Sequence, residues 1–566
     1  MTPTDAFVLR RLRVFGWALA GLGICLRLRQ YLAGRPLWLD EAMVTLNVLL
    51  RSYGGLLRPL DSDQTAPFPF LWAVKLASSL GGTDERVLRL TPMLGGIALL
   101  VLMVPLARRI LEPRVAVLAI GVAAISPILI YYSNEIKPYG TDATMMALLA
   151  LLTLRVLDHP ESRPAWAALC LTAIVASAAV SPIPFCLTGV AAALLWDRNV
   201  RRSAPFRRWF PALLLGSGLV FLALYLRLYR PVAENAFMQR FWISSFLDPT
   251  LPQFATTLRT AFGTGFRDLF LAEGGSWRVT AGLVFLIPFG IGINAIRTRC
   301  GMPVLLLCTV PWIAGLTASV LRRYPFAPRL MLFSAPLVII VVAAGVAATS
   351  HWLWARWNRI PWFYAACAGL AVLPGLDAVR QIREPFQREA VGLLIPWVEQ
   401  EHAPGAVIYV PGRTMAAWLF YSTDWHAPDT ARVLQLGRLV SSAGGAFYLA
   451  PTRRDSIRAE GDAYRFSYRD WIEVIGISPG HGPNEAGQNQ PLPDPGWADN
   501  EIRRMFAAGG RELWLVSATY YPGHLDPLVA PLEAAGATVM ERRLMPGANV
   551  TRYQLPESGR PSPAGR

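Results

Sequence analysis

APFPFLWAVKLASSL, residues 66–80, decides the topology of this chain. Counted as a membrane crossing, it would reverse the side on which every later loop lies. The stretch is apolar, but it is short for the roughly 30 Å of a hydrocarbon core, it opens with two prolines and it carries Lys75 in its middle. Those features predict an interfacial or re-entrant helix inside a long loop spanning residues 34–87.

Around that segment stand longer apolar runs, near residues 14–33, 88–108, 115–133, 139–157, 165–181, 183–197, 209–228, 278–296, 302–321, 329–349 and 359–377. They predict an α-helical polytopic membrane protein with about 11 transmembrane helices over residues 1–378. The first run is not followed by a small-residue cleavage pattern, so it reads as a retained helix. Arginines set the orientation. Arg10, Arg11 and Arg13 precede the first span, Arg108, Arg109 and Arg114 separate the second and third, and Arg198, Arg201, Arg202, Arg207 and Arg208 follow the sixth. With those loops inside, the loops holding Asp40, Glu135, Pro182, residues 230–276 and Tyr324 fall outside, as does everything after 378.

The formal charge of +16 sits largely in short loops between apolar runs, which makes it a topology signal and excludes nucleic acid as the expected partner. All six cysteines lie in or beside apolar segments without metal-type spacing. After residue 378 the composition changes. Runs such as AVIYV (406–410), AFYLA (446–450) and ELWLVS (512–517) alternate with helical patterns, FQREAVGLLIPWVEQ and LDPLVAPLEAAG among them. They predict a C-terminal extracytoplasmic α/β domain over 379–566. Residues 478–497, rich in Gly, Pro and Asn, read as a long exposed loop in which His481 is surface punctuation, and His524 has a similarly plain reading.

The topology gathers polar groups at one depth: Asp40 and Glu41 of 37-LWLDEA-42, the segment 61-DSDQTAPFPF-70, the turn 131-YYSNEIKPYGTD-142 and 322-RRYPFAPR-329. A partly desolvated carboxylate is a competent general base for a hydroxyl, and nearby cations would hold an anionic leaving group such as a phosphate. Of 54 basic side chains only Lys75 and Lys137 are lysines, and both fall in this group. A compact ammonium suits a phosphate approached as a point charge. Chance retention in an arginine-biased sequence is the plainer alternative. Arg27 is either a snorkelling anchor or a wall of the same cavity. Asp40 or Glu41 could equally cap the helix that follows.

These segments also carry a resemblance. LWLDEA after a helix ending in LRLRQYL, then QTAPFPFLWAVKL, RLTPMLGGIALLVLMVPLARRI, SPILIYYSNEIKPYGTDATMMALL and YPFAPRLMLFSAPL, resemble the GT-C polytopic glycosyltransferases. The nearest pattern is that of the bacterial family-39-like enzymes, akin to protein O-mannosyltransferases and the lipid A aminoarabinose transferase. The resemblance spans residues 14–350. It implies a sugar donor on a polyprenyl phosphate, an acid of the first outer loop as general base, inversion at the anomeric carbon, and a bacterial inner membrane location. Asp40 matches the family's first-loop acid and Glu41 follows it. Lys137-Pro138-Tyr139, with Asp142 beyond, stands where relatives often have arginine-proline before an acid or tyrosine. Thr65-Ala66-Pro67 replaces a histidine-proline-proline, so no histidine carries over.

The expected site is therefore Asp40 and Glu41 for catalysis, Lys137, Arg329, Lys75 and Arg27 for the donor phosphate, and Glu135, Tyr139, Asp142 and Tyr324 for substrate. No HExxH or paired CxxC is present, so no metal site is expected, although Asp61 and Asp63 could recruit a loosely held divalent cation. The expected partners are a polyprenyl-phosphate sugar, membrane lipids and a lipid, glycan or protein acceptor. The alternative is a lipid-linked glycan transporter or flippase, which would place charges through the depth of several spans. A noncatalytic scaffold, the third reading, would leave Asp40 dispensable.

Overall fold

The computed structural model describes residues 3–556 except 272–275, 358–361, 413, 428–429, 431–433, 436–438, 443–444, 449–451, 454–457, 461–462, 477–479, 484–488, 493–495 and 519–525. His524 and parts of the expected 478–497 loop lie outside the described residues. The first ten helices are α1 (Pro3–Leu32), α2 (Leu39–Leu50), α3 (Phe68–Gly81), α4 (Glu85–Leu88), α5 (Leu90–Ile110), α6 (Pro113–Ile125), α7 (Pro127–Tyr132), α8 (Tyr139–Asp158), α9 (Arg163–Ala179) and α10 (Ile183–Trp196).

Each expected span falls on helix. Among the described residues seven helices are long and apolar enough to cross a membrane, and α6, α9 and α10 are shorter apolar ones. The chain is an integral membrane protein. α3 has 14 residues and ends at Gly82, whose φ of 83° suits a residue without a Cβ. At 1.5 Å per residue it reaches about 21 Å, and it packs on α2.

The third expected span is broken in two. Pro127 disfavours helical geometry at Ser126, whose ψ is 118°, so α6 stops and α7 restarts, carrying the chain into the polar turn at 133–138. The tenth expected span begins later than its hydropathy suggested: the helix is Ala335–Trp357, which leaves Arg329 in the loop before it. The last long helix, Trp362–Arg383, runs past the expected boundary at 378.

The helices pack at close quarters where Leu286–Cys300 crosses Ala335–Trp357. A Cβ on Gly292 would lie 1.9 Å from the Val341 oxygen, and one on Gly345 would lie 1.7 Å from that of Pro288. The connections sort into two ends. At one, Arg109 pairs with Asp158 and Arg299 with Glu112 (2.7 Å). At the other, the segments after α1, after α7, before Phe254, after Val320 and after Arg383 converge, as alternation requires.

The C-terminal region contains a seven-stranded sheet. Its order is Thr538–Met545, Ala548–Gln554, Glu512–Ala518, Val407–Pro411, Trp471–Gly476, Ala463–Tyr468 and Arg458–Glu460. Val407–Pro411 runs parallel to both neighbours, and the outer pairs are antiparallel. Its helices include Met415–Tyr421, Trp497–Ala507 and Asp526–Ala534. This domain has a core of its own, which includes Tyr409, Phe506 and Leu515, and shares a second with the 34–87 loop. One apolar cluster runs from Leu37, Val44 and Phe70 of the outer loop to Leu394, Trp418 and Trp514 of the domain. Each such side chain contributes about 1.5–3 kcal/mol on burial, so loop and domain stabilise one another.

Candidate active site

The stretch 37–42 delivers its two acids in opposite ways. α2 starts at Leu39, placing Asp40 and Glu41 in its first turn about 100° apart around the axis. Asp40 is one-fifth exposed and its Oδ2 lies 3.3 Å from Nη1 of Arg329, itself one-fifth exposed. Glu41 is fully buried. Arg89 donates to its two oxygens from Nε (2.8 Å) and Nη2 (2.6 Å), the Ile136 amide donates at 3.0 Å, and Arg35 lies at 3.7 Å. Burial by itself would raise the Glu41 pKa, but Arg89, Arg35 and these hydrogen bonds outweigh it and hold the carboxyl below its ordinary range. Glu41 thus anchors the 34–87 loop to the start of α5 and to the 133–138 turn, whereas Asp40 faces Arg329.

Lys137, 5 % exposed, sits beside Asp40. Its ammonium donates to Gln64 Oε1, and burial pulls its pKa down while Asp40 partly restores it. Gln64 is delivered by a strained turn: Ser62 and Asp63 have φ of 61° and 52°. Asn47 grips Asp61 from both sides, accepting from its amide (2.9 Å) and donating to its carbonyl (3.3 Å), and Arg51 pairs with its carboxylate at 2.8 Å. Asn235 donates to Asp63 at 2.6 Å. Burial pushes Asp63 up to about 6, with the Asn235 bond working the other way. The two acids expected to recruit a loose cation are thus engaged by protein donors.

Arg329 lies under the Trp242 ring, 5.0 Å from guanidinium carbon to centroid. Tyr139 is an electrostatic neighbour of Arg329 and Asp40, and stacks edge-on against Tyr132 at 5.1 Å. Asp40, Lys137, Arg329 and Tyr139 therefore come together as expected.

Lys75 and Arg27 do not join them. Lys75 donates to the Val48 carbonyl (2.9 Å) near the end of α2. Arg27, fully buried, donates to Gly23 (2.9 Å), Ala124 (3.1 Å) and Ala123 (3.2 Å), closing the end of α6. Both are corrections with one physical reason: the last carbonyls of a helix lack intrahelical partners, and a neighbouring cation satisfies them. Glu135, 0 % exposed, is an electrostatic neighbour of Lys137, Arg329 and Tyr139, and Asp142, 3 % exposed, is one of Tyr139. Burial raises the Glu135 pKa, and nearby Glu41 raises it further. Tyr324 donates to the Leu330 carbonyl at 3.0 Å.

Sequence reasoning missed Arg35, Arg89, Gln64, Trp242 and Arg388. Arg388 lies 3.9 Å from the Trp38 ring centroid and donates to the Tyr131 hydroxyl at 3.2 Å. One signal was present: Arg35 lies in the 34–87 loop that the charge asymmetry places outside and Arg89 just past its end, where arginine needs a local reason. Beside Arg329, an apolar groove lined by Ile128, Phe262, Phe266, Trp312, Phe326 and Pro328 encloses about 460 Å³, open mouth included. Among the described residues no group of three or more His, Cys, Asp or Glu could hold a metal ion.

Comparison with known proteins bears on this arrangement. Residues 65–227 match the dolichyl-phosphate-mannose-protein mannosyltransferase family. That segment contains Lys75, Lys137 and the helices from α3 through α10. Among curated proteins none matches the chain. Among solved structures it is similar to ArnT from Cupriavidus metallidurans bound to undecaprenyl phosphate, at 14% identity and a TM-score of 0.48, over 97% of this chain and 98% of that one. The same ArnT in the apo state is similar at 14% identity and a TM-score of 0.47, over 95% and 98%. AglB, an oligosaccharyltransferase from Archaeoglobus fulgidus in complex with an inhibitory peptide and a dolichol-phosphate, is similar at 12% identity and 0.45, over 74% and 65%.

Proposed function

We propose that this protein is a GT-C-type membrane glycosyltransferase that moves a sugar from a polyprenyl phosphate to a hydroxyl acceptor on the outer face of a bacterial inner membrane. The observation that carries the reading is the juxtaposition of Asp40 with Arg329 and Lys137 beside an apolar groove whose rim is Pro328. A prenyl chain lying in that groove brings its phosphate to Arg329, one residue along the chain from the groove's own lining. The family match over residues 65–227 and the lipid phosphates in the ArnT and AglB structures are consistent with such a donor.

In the reaction the Asp40 carboxylate takes the acceptor's hydroxyl proton as that oxygen attacks the anomeric carbon. The bond from that carbon to the phosphate oxygen breaks on the opposite side, which inverts the centre. The phosphate leaves carrying the electron pair. Arg329 and Lys137 balance its charge, and a buried, partly desolvated setting strengthens both contacts. Arg329 has further N–H groups beyond the one facing Asp40, so it can hold phosphate without releasing the base. The charge on a phosphate monoester is matched by two cations, so the reading assigns no step to a metal. Glu41 and Arg89 position the base.

The flippase alternative calls for charges distributed along a route through the membrane, whereas these converge at one end of the bundle. The deciding experiment deletes the gene and follows envelope lipids, glycans and glycoproteins by mass spectrometry, expecting one sugar to disappear. Wild type restores it. Asp40→Asn, inserted to the same level, restores it at least about a hundredfold more slowly, as expected for loss of a general base. Restoration at the wild-type rate by Asp40→Asn would remove the base assignment.

A further inference from the structure

The catalytic helix lacks a cap of its own. Trp38, the residue before α2, makes no side-chain cap hydrogen bond, and the first N–H groups of any helix need a partner from elsewhere. Here the partner comes from the far end of the chain. Glu389, 5 % exposed, accepts from the Leu39 amide at 2.8 Å through Oε2. Tyr421 accepts from the Leu37 amide at 2.7 Å and donates to Glu85 at 2.8 Å. Arg388 covers the Trp38 ring between them. Two backbone amides leading into Asp40, and the tryptophan ring between them, are therefore gripped by residues of the C-terminal region. Glu389 is in turn held in register, because the neighbouring Ala390 amide donates to Pro546 of the sheet's edge hairpin at 2.8 Å.

We propose that the outer domain is a working part of the active site, with Glu389 as a positioning residue that caps α2 in trans and fixes where Asp40 stands. A carboxylate at a helix N-terminus both satisfies an orphan amide and opposes the positive end of the helix dipole. Losing it frays the first turn, and Asp40 is in that turn. Because misplacement of a reacting group by an ångström costs up to about a hundredfold in rate, a frayed first turn is a catalytic defect before it is a folding defect. The shared core of loop and domain keeps the protein folded when one such bond is lost. The proposal rests on Asp40 as the base.

Its test uses the full-length enzyme in lipid nanodiscs, with the undecaprenyl-phosphate-linked sugar fraction isolated from the same cells as donor and their envelope extract as acceptor. Glu389→Ala lowers kcat about tenfold with donor KM little changed. Hydrogen–deuterium exchange rises about tenfold in the peptide covering residues 37–42, while exchange in α8 stays as in wild type. Glu389→Gln, whose amide oxygen still accepts from Leu39, stays within about threefold of wild type in both readouts. In the Asp40→Asn background Glu389→Ala costs nothing further in kcat. Additive losses in the two backgrounds, or unchanged exchange at 37–42 in Glu389→Ala, would overturn the proposal. A fully active Asp40→Asn would sink the base assignment instead, and the exchange readout would still judge the cap.

Discussion

Glu41→Gln separates the two neighbouring acids, because Asp40 is partly exposed beside Arg329 whereas Glu41 is buried in a clamp of arginines. The substitution keeps the volume and one acceptor oxygen but replaces the other with an NH2 group facing the Arg89 guanidinium. It also leaves Arg89 and Arg35, each 2 % exposed, without the carboxylate that both face. Removing one partner of a buried pair costs about 3–5 kcal/mol, and one charge-assisted hydrogen bond alone is worth about 1.5–3. Glu41→Gln should therefore destabilise the protein by roughly 3 kcal/mol, near the lower end, because the Ile136 bond survives. Thermal unfolding followed by tryptophan fluorescence in nanodiscs measures it. Glu41→Gln/Arg89→Met should lose much less than the sum of its two single changes, since the double variant leaves no guanidinium facing an absent carboxylate. A Glu41→Gln protein that melts like wild type, yet transfers sugar as slowly as Asp40→Asn, would refute the division of labour and make Glu41 a reacting group.

Lys137→Met and Arg329→Met should each raise the donor KM and lower kcat, by about ten- to a hundredfold in kcat/KM, with acceptor KM little changed; steady-state kinetics with each substrate varied in turn decides it. An effect on acceptor KM alone would move both cations out of the donor site. Lys75→Met should leave donor KM within about twofold while loosening α3 against α2, seen as faster exchange around Val48; a large donor effect would return Lys75 to the phosphate. Asp63 supplies a pH dependence. Its folded pKa of about 6 lies above the ordinary aspartate value, so its contribution to stability is complete below about pH 4 and is lost as pH rises through 6. Wild type should thus lose melting temperature between about pH 4 and 6 relative to Asp63→Asn, and parallel curves would remove the assignment.

The helical scaffold was legible because hydropathy is local: a span needs only its own residues to be apolar, and the 66–80 segment could be set apart by its two opening prolines and the lysine in its middle. The gathering of Asp40, Lys137, Arg329 and Tyr139 at one end of the bundle was legible too, since alternation of spans fixes which loops share an end. The sequence could not say which of two adjacent acids turns toward that cluster. The answer lies in one residue's rotation around α2 and in what surrounds it, namely Arg89, Arg35 and the Ile136 amide, which arrive from distant segments. The same limit governs the basic residues. Arg27 and Lys75 lie in the expected segments, but helix ends left carbonyls there that took them up, and only packing reveals which helix end is near. Furthest from view was Glu389, whose bond to the Leu39 amide joins residues 350 positions apart. Local pattern carries no information about such a pairing, because it exists only once the membrane bundle and the outer domain have buried a common core.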